Sequence, residues 1–373
     1  MSRLRLVGFA AMFVPLAIAC ESLIDARFDD ARPEESSGAD AQVDAPACSY
    51  AKPPGPPSLK ESNDIAEATV VIHDVAFGDA KDSQGQPTFL GIGYDLDDNC
   101  ADQGEAPLCR PAAWTKGDAS DGPGGVDNAV GKMIASQEKV LGLGAPALTS
   151  AKITAAIQGG EYSPLGVIKV SKWGGFDDDR VRVEWYVALP AKLAPGFVPK
   201  FDGTDVWPLG SLAADGGGSA LVAVDENAYV TGRVLVARFD HLQIPFATLF
   251  LEVNDVILTG SLSKQGERFV LEKGTLAGWS HVDEVIGLIP AITKNLFGIS
   301  MCADNANFPV IKNFVCRVAD MTPAGEECQG ESFGIRFETV PVTLGQTSPL
   351  PHEPPCPAET DPKTSPCGVA PKG

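Results

Sequence analysis

The chain is predicted to be a mainly β protein with a few helices, an α+β fold whose body is an antiparallel β-sandwich stapled by disulfides. Three observations carry this prediction. In Val181-Arg182-Val183-Glu184-Trp185-Tyr186-Val187-Ala188-Leu189 every odd position is large and apolar, the period-two pattern of a strand buried on one face. No regular alternation of strand and helix runs along the chain, which argues against a doubly wound parallel sheet. Of nine cysteines, setting Cys20 aside leaves an even number, as a disulfide framework requires.

Strands are expected at Ala68–Phe77, Thr88–Tyr94, Leu165–Trp173, Val181–Leu189, Tyr229–Phe239, Phe246–Leu258, Arg268–Leu271 and Ser332–Val342. Gly174 to Asp179 supplies a hairpin loop. Three helices interrupt them. Asp127 is placed to cap one running to about Val140, and Thr149 or Ser150 opens a second that Gly159-Gly160 stops. A third opens with Ser280 and Asp283 as a capping box and carries Val282, Val285, Ile286, Ile289, Ile292 and Leu296 at helical spacing. Pro290 should kink or divide it.

The domain reading is a signal segment over 1–19, an acidic, proline-rich disordered tether over 20–62, a globular domain over 63–346 and a proline-rich tail over 347–373. Within the globular domain, a helical, cysteine-containing segment lies near 279–330. The tether holds Pro53-Pro54-Gly55-Pro56-Pro57 and too little apolar surface to offset its ordering entropy. At the N-terminus, Arg3 and Arg5 precede an apolar run from Leu6 to Ile18. That run is short of the roughly 20 residues a spanning helix needs and has the shape of an export signal. It ends Ala17-Ile18-Ala19-Cys20, which resembles the lipobox of bacterial lipoproteins. The resemblance implies cleavage before Cys20, acylation of that cysteine with chains such as palmitate, and attachment to the membrane. Net charge is −20, and removing Arg3 and Arg5 makes it more negative still. No basic patch is visible, so nucleic-acid binding is excluded.

Export turns the remaining cysteines toward disulfides. No Cys-x-x-Cys occurs, and thiolate metal sites are not supported. Cys100 with Cys109, across one short acidic loop, and Cys316 with Cys328 are the expected pairs. Cys48, Cys302, Cys356 and Cys367 then share the rest, joining tether or tail to the body.

Acidic residues make the densest chemical signal. Asp95-Leu96-Asp97-Asp98-Asn99 is followed by Asp121, Gly122, Gly124-Gly125 and Asp127-Asn128. Hard oxygen ligands on glycine-rich loops are what calcium takes. Asp95, Asp97 and Asn99 match the first ligand spacings of an EF-hand, but Cys100 replaces the needed glycine and Ala106 the bidentate glutamate, so that motif fails. Two readings stand: a looser calcium site from Asp95, Asp97, Asp121, Asp127 and Asn128, or a solvated acidic loop with Asp127 merely capping its helix. Gly330-Glu331-Ser332-Phe333-Gly334 has the nucleophile-elbow spacing, yet a strand-like run follows where a helix is required. His73, His241, His281 and His352 form no zinc motif. Trp114, Trp173, Trp207 and Trp279 fall at strand ends or loops, where rings either anchor the fold or meet sugars.

Gly93-Tyr94-Asp95-Leu96-Asp97, Cys100 with Cys109, Asp127-Asn128 and the late cysteine cluster together resemble a group of uncharacterised bacterial outer-membrane lipoproteins. The likeness runs from Cys48 to Thr343. It implies a place in the cell envelope, facing periplasm or cell surface, and carries no activity. The functional expectation is therefore a non-enzymatic binding or structural lipoprotein with a glycan or protein ligand. The competing class is an exported hydrolase that uses acidic residues, for example on glycans.

Overall fold

The computed structural model describes residues 48–58, 66–101, 105–117, 119, 121–141, 148–211, 218–246, 249–322, 327–350 and 354–370. The segment expected to be an export signal, Cys20, most of the expected tether and His352 lie outside the described residues. Eight antiparallel strands close into a barrel. In chain order they are β1 (Ala66–Ala76), β2 (Val167–Trp173), β3 (Asp178–Tyr186), β5 (Leu221–Thr231), β6 (Val234–Phe246), β7 (Leu249–Gln265), β8 (Arg268–His281) and β9 (Gly330–Pro341). Strand β9 pairs with β8 on one side, Leu276 opposite Ile335, and with β1 on the other, Val71 opposite Val340.

The body is therefore a barrel and not the expected sandwich. Period-two alternation reports one buried face and says nothing about whether the first and last strands meet, which is a long-range matter. Val70, Ile72, Val183, Trp185, Leu235 and Phe337 fill the interior, while Arg180, Arg238, Asp240 and Glu252 lie exposed. That distribution is the reverse of a membrane-spanning barrel, whose apolar band faces outward. Among the described residues, no helix is long and apolar enough to cross a membrane.

Two other strand expectations are corrected. Tyr229–Phe239 is a hairpin: Thr231 pairs with Val234, and Gly232 and Arg233 both have positive φ, 54° and 73°, the type I′ geometry that matches strand twist. Thr88–Tyr94 is no strand but a short 3₁₀ turn, Thr88–Gly91, followed by irregular chain. Outside the barrel, β4 (Val206–Ser211) and β10 (Thr343–Pro349) form a parallel pair. Trp207 there covers Val71, Val167 and Val340 on the outer face.

The helices are α1 (Ala129–Leu141), α2 (Ser150–Gln158), α3 (Val282–Phe297) and α4 (Phe308–Cys316). Thr149 caps α2 by accepting from Lys152 N at 3.2 Å. The capping box foreseen for α3 does not form, because Ser280 Oγ donates to Glu252 O on the neighbouring strand β7 at 2.7 Å. Pro290 sits inside α3 without dividing it. Tight turns close one end of the barrel at 174–177, 232–233 and 266–267. The long connections carrying all four helices gather at the other end.

Four disulfides join Cys48–Cys100, Cys109–Cys328, Cys302–Cys356 and Cys316–Cys367. The expected pairs Cys100–Cys109 and Cys316–Cys328 are both replaced. Cys328 N donates to Arg110 O at 2.9 Å, and this bridge sets Cys109 against Cys328 despite their distance in sequence. The linkages dock two segments whose composition reads as loose chain. Residues 48–58 form a strap, and Tyr229 Oη donates to Pro54 O at 2.6 Å. Residues 354–370 pack on α3 and α4, where the buried Lys312 donates to Ser365 Oγ at 2.9 Å and Val369 O at 2.6 Å.

Glu331 lies on the same barrel face as Phe333 and Ile335. It is fully buried, with neither carboxylate oxygen hydrogen-bonded. Burial, and then the charge of Asp320, push its carboxyl well above the usual 4.5. The unfolded chain ionises near that value while the folded chain resists, so stability is lost as pH rises above about 4.5, by at most about 1.4 kcal/mol per pH unit. Urea melts of wild type and Glu331→Gln between pH 4.5 and 7 should show the variant gaining on wild type as pH rises. A pH-independent difference would mean that Glu331 is not held neutral.

Candidate metal centre

The acidic residues meet at the end of the barrel that carries the long connections. Asp95 and Asp97 lie on a loop built from carboxylate-to-backbone turns: Asp95 Oδ1 accepts from Asp98 N at 2.8 Å and Asp97 Oδ1 from Asn99 N at 3.0 Å. Asp127, at the entry to α1, accepts from Leu96 N through Oδ2 at 2.7 Å, and its own N–H donates to Tyr94 O at 3.0 Å. Each of these carboxylates spends one oxygen on shaping the loop. One oxygen from each of Asp95, Asp97 and Asp127 lies within 4.8 Å of the others.

The strap holds the two loops together. Ala51 N donates to Gly124 O at 2.8 Å and Asp95 N to Ala51 O at 2.9 Å, and Cys48 is bonded to Cys100. Gly125 closes the back of the site with φ +74°, and a Cβ there would stand 2.4 Å from Asn99 O. Only glycine fits both the conformation and the space.

The electrostatics are unbalanced. Asp95 and Asp127 are each 1% exposed; Asp127 Oδ1 accepts no hydrogen bond, and Asp95 Oδ2 is met by Lys52 alone. Lys52 on the strap stands 3.1 Å from Asp95 Oδ2 and 2.6 Å from Asp98 Oδ1, and donates to Asp95 O at 2.8 Å. Burial opposes the lysine's charge, but its bonds to Asp98 and Asp95 prevail and hold its pKa above the ordinary range. One ammonium does not balance the carboxylates around it. Burial, followed by the charge of Asp121, pushes Asp97 up to about 6. Burial, then Asp320 and Asp97, pushes Asp127 higher still. An unpartnered oxygen on buried Asp127, a buried Asp95 oxygen met only by one lysine and a third carboxylate beside them suit a hard cation, with backbone carbonyls or water completing a calcium-sized shell.

Of the five residues expected at this site, three converge. Asp121 stands to one side, accepting from Ala101 N at 3.0 Å, and acts on Asp97 through its charge. Asn128 is not a ligand, because its amide is already spent. Oδ1 accepts from Gly131 N and Gly334 N, both at 2.9 Å, and Nδ2 donates to Ile92 O at 2.9 Å, with Phe89 O at 3.2 Å and Gly334 O at 3.3 Å. Asn128, and not Asp127, therefore caps α1, which frees Asp127 for the acidic site. Gly334 allows this approach, since a Cβ there would lie 2.1 Å from Ile92 O.

Ser332 sits within β9, fully buried, with no strand–turn–helix around it. It donates through N to Asp320 Oδ1 at 2.9 Å and through Oγ to Oδ2, while Oγ accepts from Ala129 N at 2.9 Å. The serine ties α1 to β9 and is no nucleophile. Burial drives the Asp320 carboxyl upward against those two bonds. Trp173 and Trp207 are core residues. Trp114 and Trp279 are half-buried with their indole N–H groups on Cys367 O and Asp255 Oδ2, both at 2.7 Å, so none of the four is a bare platform for sugar. Lys52 was unmarked in the sequence, hidden in a proline-rich stretch. Asp320 was masked by its distance along the chain. No family model, curated protein or solved structure matches the chain.

Asn128→Ala should cost about 3 kcal/mol or more, because it removes a helix cap and leaves buried backbone groups of β9 and the Asp loop unpaired. Urea denaturation checks this. A loss under about 1 kcal/mol would show that the amide is not the clasp.

Proposed function

We propose that the protein is an exported, lipid-anchored envelope protein with a non-enzymatic binding or structural role, its barrel body held by a calcium ion in the Asp95–Asp97–Asp127 site. The observation that carries the metal is the convergence of three carboxylates, with an unpartnered oxygen on buried Asp127 and a single lysine against them. The address is carried by the sequence: the export signal, Cys20 at its end, and disulfides that an oxidising compartment sustains. The resemblance to bacterial outer-membrane lipoproteins points the same way, and a glycan or protein ligand on the cell surface would suit that place. A hydrolase reading gains nothing from Ser332, which is sealed inside the fold.

Calcium bound only to the folded chain adds stability with its concentration, about 2.7 kcal/mol at a hundredfold excess over Kd. Thermal melts in calcium against EDTA should separate for wild type and coincide for Asp127→Asn. Coincident wild-type melts would remove the cation from the account. Separately, Cys20→Ser should release the chain from the membrane fraction of expressing bacteria and abolish palmitate labelling. Retention with label intact would end the lipoprotein assignment.

A further inference from the structure

A second site lies at the same end of the barrel and owes nothing to the acidic loop. Between the barrel mouth and the helices is a cavity of about 110 Å³, lined by Met133 and Ile134 of α1, Ile153 and Ile157 of α2, and Leu288 and Ile292 of α3, with Phe333 and Ile335 as its floor. Eight strands enclose just enough space for their own side chains or for one small ligand. Here Trp185 and Phe337 help fill the rest of the interior, and the helices cover this end without filling it.

The lining specifies what could enter. It contains no charged residue, and Tyr162 and Ser163 are its polar members. Ser163 Oγ already donates to Ala188 O at 3.0 Å, and the Tyr162 hydroxyl is hydrogen-bonded to Asn295. A water molecule there would lack the two to four polar partners that hold buried water. A carboxylate or headgroup would lack a counter-charge. Met133 and Ile292 are only half-buried, so the apolar lining reaches the surface and offers an entry. The volume is close to that of the ~150 Å³ apolar cavity known to take benzene.

We infer that this cavity is a binding site for a small uncharged apolar ligand, one aromatic ring or a short aliphatic chain. Calorimetric titration of the purified full chain with toluene tests it. One saturable toluene site per chain is expected, with hexanoate bound about tenfold more weakly or worse, since its charge finds no partner. Met133→Trp at the entry and Ile153→Phe in the wall should each weaken toluene binding about tenfold or more by occupying the space. If Met133→Trp fails to fold, Ile153→Phe carries the comparison. Toluene binding should be the same in calcium and in EDTA, which separates this site from the acidic one. Absence of a saturable toluene site overturns the inference, as does binding that survives in every folded cavity variant or a preference for hexanoate.

Discussion

Strand β9 is hydrogen-bonded along both edges, to β8 and to β1, and most of the remaining architecture follows from that double pairing. Closing the sheet leaves no free edge to cover. It turns one face of every strand into a common interior. It also sends the long connections to a single end, where they must pack on one another. At that end β9 is gripped again: Asn128 binds Gly334, and Ser332 binds Asp320 and the first N–H of α1. The acidic loop, the start of α1 and the closing strand are thus one hydrogen-bonded assembly.

Much of the strand content was readable, because alternation such as Val181 to Leu189 is a local consequence of having one buried face. Closure was not readable, since it depends on residues 66–76 meeting residues 330–341. The Gly232-Arg233 turn was missed because it lies inside an apolar run with a single glycine and no Asn-Gly or Asp-Gly. At the candidate site, carboxylates on glycine-rich loops signalled themselves, and Asp95, Asp97 and Asp127 do converge. Asn128 misled because a side-chain carbonyl suited to a cation is equally suited to a backbone N–H. Cysteine pairing could not be inferred from proximity along the chain, as Cys109–Cys328 spans a separation of 219.

Buried charge is concentrated in the same region. Asp95, Asp127, Asp320 and Glu331 are all nearly or fully buried, in a chain whose surface already carries excess negative charge. Their solutions differ. Asp320 is satisfied by Ser332, Asp95 leans on Lys52, and Glu331 has only neutrality. Asp127 has one oxygen satisfied and one not. Buried carboxylates left incomplete work against stability, so their clustering marks the end of the barrel where packing alone does not govern the choice of residue.

The order of strands along the chain has a temporal meaning. As the polypeptide emerges from its N-terminus, β1 is among the first strands to appear, yet one of its two edges has no partner until residue 341 is available. Through that interval the nascent sheet presents two open, apolar-backed rims, the condition under which strands recruit neighbouring chains. The cross-link from Cys109 to Cys328 belongs to the same late moment. Assembly of this barrel is therefore gated by the arrival of β9, and truncation before residue 330 leaves a sheet that cannot close.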